Sequence, residues 1–283
     1  MKIAISTEST VDLTPELIKK YDVNIVPFTV TLGDESAPDG DITPQKIYAY
    51  VDKTGKLPRT SAVNQYQYEQ HFRKLKEEGY DQIVHVTLSS GISVANQNAV
   101  IASQKFEGVY VVDSKSLSTG IALLVIYARE LVEKGFNGAA IKEKLEKRVP
   151  YVQASFVLDT VEYLYKGGRC NSLTRLAVNV FKIRPQIIVT DGKMISGRKY
   201  RGKDAPVVTK YCEDTLELFA NADKSVAFVT ATSYEDEIFA LAEQKLKDAG
   251  FKTIYRTTAG ATITSHCGPK TIGILYINDG GAK

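Results

Sequence analysis

Apolar residues along the chain fall into short runs, set apart by polar stretches rich in cap and turn residues. Residues 2–6 (Lys-Ile-Ala-Ile-Ser) form such a run, bounded by a polar loop at 7–14, and predict a strand. A helix is predicted to open at Thr14-Pro15-Glu16: a hydroxyl N-cap, a proline in the first helical position and an acid that complements the helix dipole. The same device recurs at Thr43-Pro44-Gln45 and predicts a helix through residue 51. Between them, residues 24–31 read as one strand. A third helix is predicted over 65–78, stopped by Gly79. Strand 82–88, helix to residue 104, strand 108–112, helix 118–134 and a further helix over 137–150 follow. This alternation predicts a mainly parallel sheet covered by helices.

The second half changes character. Residues 154–158 and 186–190 read as strands, and Asp191-Gly192 is a hairpin signal leading into 193–196. Three more strands are predicted at 226–230, 253–258 and 273–277, with helices between them. The expected fold class is α/β, with two α/β domains spanning 1–152 and 153–283 and a ligand in the cleft between them.

Composition narrows the function. The 283 residues are 43% hydrophobic and carry a formal net charge of +3, with no run of five like charges. That balance leaves no footprint for nucleic acid or an anionic membrane surface. No apolar stretch approaches the ~20 residues of a membrane span, and the start is too quickly polar for a secretory signal. Cys170, Cys212 and Cys267 are odd in number and far apart. The expected location is therefore the cytoplasm, with no stable membrane insertion. Neither G-x-x-x-x-G-K-[ST] nor G-x-G-x-x-G occurs, and there is no H-E-x-x-H or Cys/His ligand cluster. No cofactor, metal or catalytic machinery is expected.

The remaining chemistry lies in hydroxyls and one histidine. Thr60-Ser61 and Ser89-Ser90-Gly91-Ile92-Ser93 precede predicted helices, where a hydroxyl beside free backbone N–H groups suits a carboxylate. Ser61, Asn64 and Ser93 equally fit the role of ordinary N-caps. His71 is expected half-buried or at the surface of a helix, His85 in the core, and His266 in a polar loop before the last strand. In Lys166-Gly167-Gly168-Arg169 the glycines permit a tight turn or a close approach, and Arg169 either reaches an anion or is solvated. Cys267 reads as a free thiol, with a reactive one as the alternative.

At these residues the sequence resembles the DegV family of bacterial fatty-acid-binding proteins. Six motifs occur in the family's order: Glu8-Ser9-Thr10-Val11-Asp12-Leu13, Leu57-Pro58-Arg59-Thr60-Ser61, Leu88-Ser89-Ser90-Gly91-Ile92-Ser93, Val112-Asp113-Ser114 to Gly120, Val161 to Lys166-Gly167-Gly168-Arg169, and His266-Cys267-Gly268-Pro269. Each is weak alone; together they span the chain. The resemblance implies two α/β domains with a long-chain fatty acid whose tail is buried in a tunnel and whose carboxylate lies near the cleft. Thr60 and Ser93 would hold the carboxylate, Ser61 would add a backbone N–H, and Arg169 and His266 would complete the polar network. It also implies a non-enzymatic subunit that presents the acid to a separate fatty acid kinase, which forms the acyl phosphate for phospholipid metabolism. The sequence departs from the family pattern at Glu8, Ala62-Val63-Asn64, Val94-Ala95 and Lys270, so the shell around the head group is altered. Two other readings stay open: a serine-dependent acyl hydrolase using Ser93 and His266, and a carrier of another amphipathic carboxylate such as a retinoid.

Overall fold

The structure, a computed structural model, describes residues 1–169 and 183–282; Cys170 lies outside them. The first half runs β1 (Ile3–Glu8), α1 (Pro15–Lys20), β2 (Val23–Val26), β3 (Thr29–Leu32), β4 (Glu35–Pro38), α2 (Pro44–Thr54), β5 (Arg59–Ser61), α3 (Gln65–Glu77), β6 (Gln82–Thr87), α4 (Ala95–Ser103), β7 (Val109–Asp113), α5 (Thr119–Glu133) and α6 (Gly138–Arg148). The second runs β8 (Val152–Val157), α7 (Glu162–Lys166), β9 (Arg184–Thr190), β10 (Lys193–Tyr200), α8 (Asp204–Leu218), β11 (Val226–Ala231), α9 (Asp236–Asp248), β12 (Thr253–Thr258), α10 (Ala261–Cys267) and β13 (Ile272–Ile277).

The expected α/β class is what forms. A four-stranded sheet, ordered β2-β1-β6-β7, is parallel throughout. Every residue of β1 is buried, as a parallel sheet covered on both faces requires. Residues after 151 build a mixed six-stranded sheet, ordered β10-β9-β8-β13-β11-β12, in which β11 and β12 pair in parallel and the other neighbours antiparallel. Helix α5 lies between the two sheets, touching β1 and β6 on one side and β8, β11 and β13 on the other. Its sequence explains the position: Thr119 to Ala128 are all buried, and a helix that is apolar around its circumference has to be covered on every side.

The helix starts form as their residues dictate. Thr14 and Thr43 accept the backbone N–H groups of Leu17 and Lys46, and Asn64 with Gln67 forms a reciprocal capping box. His85 is fully buried, and His71 is half-buried against the Ser6 hydroxyl at 2.7 Å.

Three local readings are corrected. The single strand expected over 24–31 is two, β2 and β3, which belong to different sheets. They part at Pro27-Phe28, where proline offers no ladder N–H and the Phe28 N–H turns to the Ser9 hydroxyl at 3.1 Å. The sequence reading also lacks the small antiparallel sheet β4-β3-β5. Thr60 and Ser61 therefore sit on a strand paired with β3, not at a loop-to-helix tip. His266 stands in the last turn of α10 rather than in a loop; the helix ends just after it, at Gly268.

Candidate functional site

A cavity of about 500 Å³ opens where the loops after β6 and β7 meet α7, β10 and α10. Thr60, Ser90, Ser93, Arg169 and His266 supply its polar wall, and Phe28, Leu88, Leu117, Leu164, Met194 and Ile263 its apolar wall. A narrow recess of about 30 Å³ shares Leu117, Ile263 and Cys267 with the cavity and runs on between Phe156, Ala231 and Leu275. The site is thus polar at one end and apolar at the other.

The closest joint across it is between Thr60 Oγ1 and His266 Nε2, 2.7 Å apart although 206 residues separate them. Thr60 points inward because side chains alternate along β5. Ser61 points the other way, is exposed and lines no part of the cavity. His266 is brought in by α10, whose other end is gripped by two carboxylates of the first half. Asp12 Oδ1 accepts from Gly260 N at 2.8 Å, and Asp39 accepts from Ala261 N at 2.9 Å and Thr262 N at 3.2 Å. Both carboxyl groups satisfy free amides in the first turn of the helix. Asp12 also accepts from Ser118 Oγ at 2.5 Å. Burial raises its pKa to about 8, opposed by the hydrogen bonds from Ser118 and Gly260.

The glycines of two motifs interlock α7 with α10. A methyl group on Gly167 would lie 2.8 Å from His266 Nδ1 and 3.0 Å from the Tyr163 carbonyl oxygen; one on Gly268 would meet the Tyr163 ring at 2.6 Å. His266 is so enclosed that burial, then the nearby Arg169 charge, lowers its pKa to about 4. The imidazole is neutral near pH 7, and its Nδ1 is buried without a hydrogen-bond partner among the described residues.

Ser93 lines the cavity and accepts from Ala95 N at 3.2 Å. Arg169 is exposed at the mouth, its guanidinium donating to the Gly167 carbonyl at 2.5 Å. Four of the five residues expected at the site, Thr60, Ser93, Arg169 and His266, therefore share one cavity, and the Ser61 side chain does not join them. His266 Nε2 engages Thr60; no hydrogen bond joins it to Ser93 among the described residues, so the dyad a serine hydrolase needs is not formed. The Cys267 thiol is buried in the cavity wall, and burial pushes its pKa up to about 12, which favours the protonated thiol.

Residues behind the site escaped the sequence reading. Buried Glu8 accepts from Leu88 N at 2.8 Å, Tyr68 OH at 2.5 Å and His85 Nε2 at 3.3 Å, and so fixes the start of the Ser89–Ser93 loop. Glu8 and Asp12 were visible as the acids of one motif; Asp39 carried no signal. Among the described residues no cluster of three or more metal-ligating side chains occurs, and no helix is long and apolar enough to cross a membrane.

Comparison with known proteins agrees with this architecture. The family model described as "Uncharacterised protein, DegV family" matches residues 2–279. A fatty acid-binding protein of Thermotoga maritima is 29% identical, the match covering 96% of this chain and 96% of that protein. Among solved structures, a fatty-acid-binding DegV family protein from Thermus thermophilus is 27% identical with a TM-score of 0.88, covering 98% of this chain and 100% of that one. A Thermotoga maritima protein whose structure was described as revealing fatty acid binding is 30% identical with a TM-score of 0.83, over 98% and 99% of the two chains. With the family model matched almost end to end and the same fold recurring, the chain belongs to the DegV family.

Proposed function

We propose that this protein binds a long-chain fatty acid in the cytoplasm and presents its carboxylate to a separate kinase, which converts it to an acyl phosphate. The ligand lies between two units, residues 1–152 and 153–283. Thr60, Ser93, Arg169 and His266 hold the head, and the part of Ser61 is limited to a backbone N–H. The observation that carries the reading is the Thr60–His266 hydrogen bond at the polar end of a cavity that turns apolar inward. In the tautomer that carries its proton on Nε2, a neutral His266 donates to Thr60 Oγ1 and leaves the Thr60 hydroxyl proton free to point at a carboxylate. The tail supplies most of the affinity: about fourteen methylenes of a sixteen-carbon acid, at ~0.8 kcal/mol each, give on the order of 10 kcal/mol. Each head-group hydrogen bond adds roughly 1.5–3 kcal/mol. The kinase role is supported by the absence of either nucleotide-binding fingerprint in the sequence.

Solvent extraction and native mass spectrometry of the purified protein test the first step. A co-purified long-chain fatty acid is expected. A lipid-free protein that also takes up no added palmitate refutes it, and a retinoid mass would select another carboxylate carrier.

A further inference from the structure

The antiparallel pairing of β8 with β9 stops early. Ser155, Phe156 and Val157 pair with Ile188, Ile187 and Gln186. The next partners in that register would be Ala154 with Val189, Gln153 with Thr190 and Val152 with Asp191. Instead these six residues line the walls of an open cleft of about 510 Å³. The pairing of β9 with β10, by contrast, runs on to Thr190 and Lys193, so the hairpin leaves β8 as one arm.

The base of that arm is anchored. Leu158 N donates to the Pro185 carbonyl at 3.1 Å, and the Gln186 amide reaches Thr215 Oγ1 on α8 at 3.1 Å. Just above the base the β9–β10 register shifts between Ser196 and Lys199, a bulge around Gly197. Bulges bend strands and interrupt ladders, which makes this the natural hinge. β10 is the edge of its sheet among the described residues, so no further strand restrains the arm.

The tip points at the ligand cavity. Met194, two residues past the turn, is buried in the cavity wall. The turn is drawn there by the first half: Ser89 Oγ donates to the Gly192 carbonyl at 2.7 Å. A side chain on Gly91 would collide with that same carbonyl, and one on Gly192 would lie 2.6 Å from Ser89 Oγ and 2.8 Å from Lys115 Cδ. The tip therefore closes the cavity at the expense of strand pairing with β8.

We propose that the tip of the β9–β10 hairpin, residues 189–194, is a lid over the ligand cavity. It is latched shut by the Ser89 hydroxyl on the Gly192 carbonyl, and it opens by zipping Val189, Thr190 and Asp191 onto β8. Withdrawing the tip carries Met194 out of the cavity wall and lets an acyl chain enter or leave, which rests on the fatty-acid reading above.

Two variants and two measurements test the lid. In stopped-flow exchange of the fluorescent fatty acid cis-parinaric acid, Ser89→Ala is expected to release the probe up to about tenfold faster, the rate equivalent of one lost hydrogen bond. The pair Ala154→Cys with Val189→Cys is expected to oxidise to a disulfide that holds the arm on β8, with faster exchange than in its reduced form. Failure of the thiols to join, or equal rates in the two forms, counts against the lid. Hydrogen exchange on the ligand-free protein reads the arm without any ligand: Ser89→Ala should slow exchange at those amides of 189–191 that pair with β8 in the open form and spare 184–187. If the wild type binds no cis-parinaric acid, the fatty-acid reading falls while hydrogen exchange still decides the lid. Unchanged protection at the tip in a folded Ser89→Ala protein overturns it.

Discussion

Gly167 and Gly168 are neighbours, yet the structure asks for glycine at each for a different reason, and alanine at each should fail differently. Gly167 has a helical backbone, φ −69° and ψ −17°, which alanine adopts without strain. That exchange gains about 0.4–1 kcal/mol through the unfolded chain. Its methyl, however, would stand 2.8 Å from His266 Nδ1 and 3.0 Å from the Tyr163 carbonyl oxygen. The carbonyl belongs to α7 and cannot yield, so the imidazole has to move. Overpacking of this kind costs roughly 1–3 kcal/mol. The displaced ring loosens its 2.7 Å hydrogen bond to Thr60, and the Thr60 hydroxyl loses its orientation toward the head group. A lost hydrogen bond to a carboxylate weakens binding by about ten- to a hundred-fold. Gly168, with φ +70° and open space around it, has only a backbone requirement. Alanine there costs about 1–2 kcal/mol of left-handed strain and should leave affinity alone. Thermal melting and fatty-acid titration of both variants check the contrast. Wild-type affinity in Gly167→Ala, or an equal loss in Gly168→Ala, would refute the role given to His266.

Ser93→Ala should weaken fatty-acid binding by roughly ten- to a hundred-fold with only a small drop in melting temperature from the lost Ala95 N contact; a lowered melting point with wild-type affinity would show that Ser93 only braces the start of α4. Asp12→Asn should alter the pH dependence of stability. With the folded pKa of Asp12 raised to about 8, its contribution is full below the unfolded value near 4 and is lost as pH rises through about 8. Asparagine accepts the same Gly260 N–H, tolerates the left-handed φ of 53° and does not ionise. Melting curves from pH 4 to 9 should therefore show the wild type losing ground to the variant by up to ~1.4 kcal/mol per pH unit, and parallel curves would contradict this.

Much of this fold was legible because its elements carry strong local signals. Thr14-Pro15 and Thr43-Pro44 announce helix starts, and the all-apolar stretch of α5 announces a helix covered on every side. The small sheet was not legible. β4 has four residues, none of them buried, and β5 has three, too few for a period of two to stand out. That gap misplaced Thr60 on a loop. The four residues that share the cavity, Thr60, Ser93, Arg169 and His266, were marked by motif order rather than periodicity. Asp39 was not, because a lone acid in a polar stretch looks the same whether it caps a distant helix or faces water. The reason for each glycine was equally hidden: the pair in Lys166-Gly167-Gly168-Arg169 suggested a turn or a close approach, and only coordinates assign one reason to each residue.

The Thr60–His266 end of the cavity depends on α10, and α10 depends on the half of the chain it does not belong to. It is seven residues long, too short to hold a direction by itself. Asp12 and Asp39, from 248 and 222 residues away, fix its first turn, and Thr60 receives the histidine in its last turn. Each of these bonds joins the sequence before residue 150 to the sequence after it. The Ser89–Gly192 contact does the same across the mouth. The cavity therefore exists only while the two halves are docked. Any ligand that fills it binds the docked form alone and stabilises that form in proportion to the logarithm of its concentration over its dissociation constant. Under the reading proposed above, the same linkage would run in reverse: a kinase that drew the halves apart would loosen the Thr60–His266 junction and the closure of the mouth together, because both span the two halves.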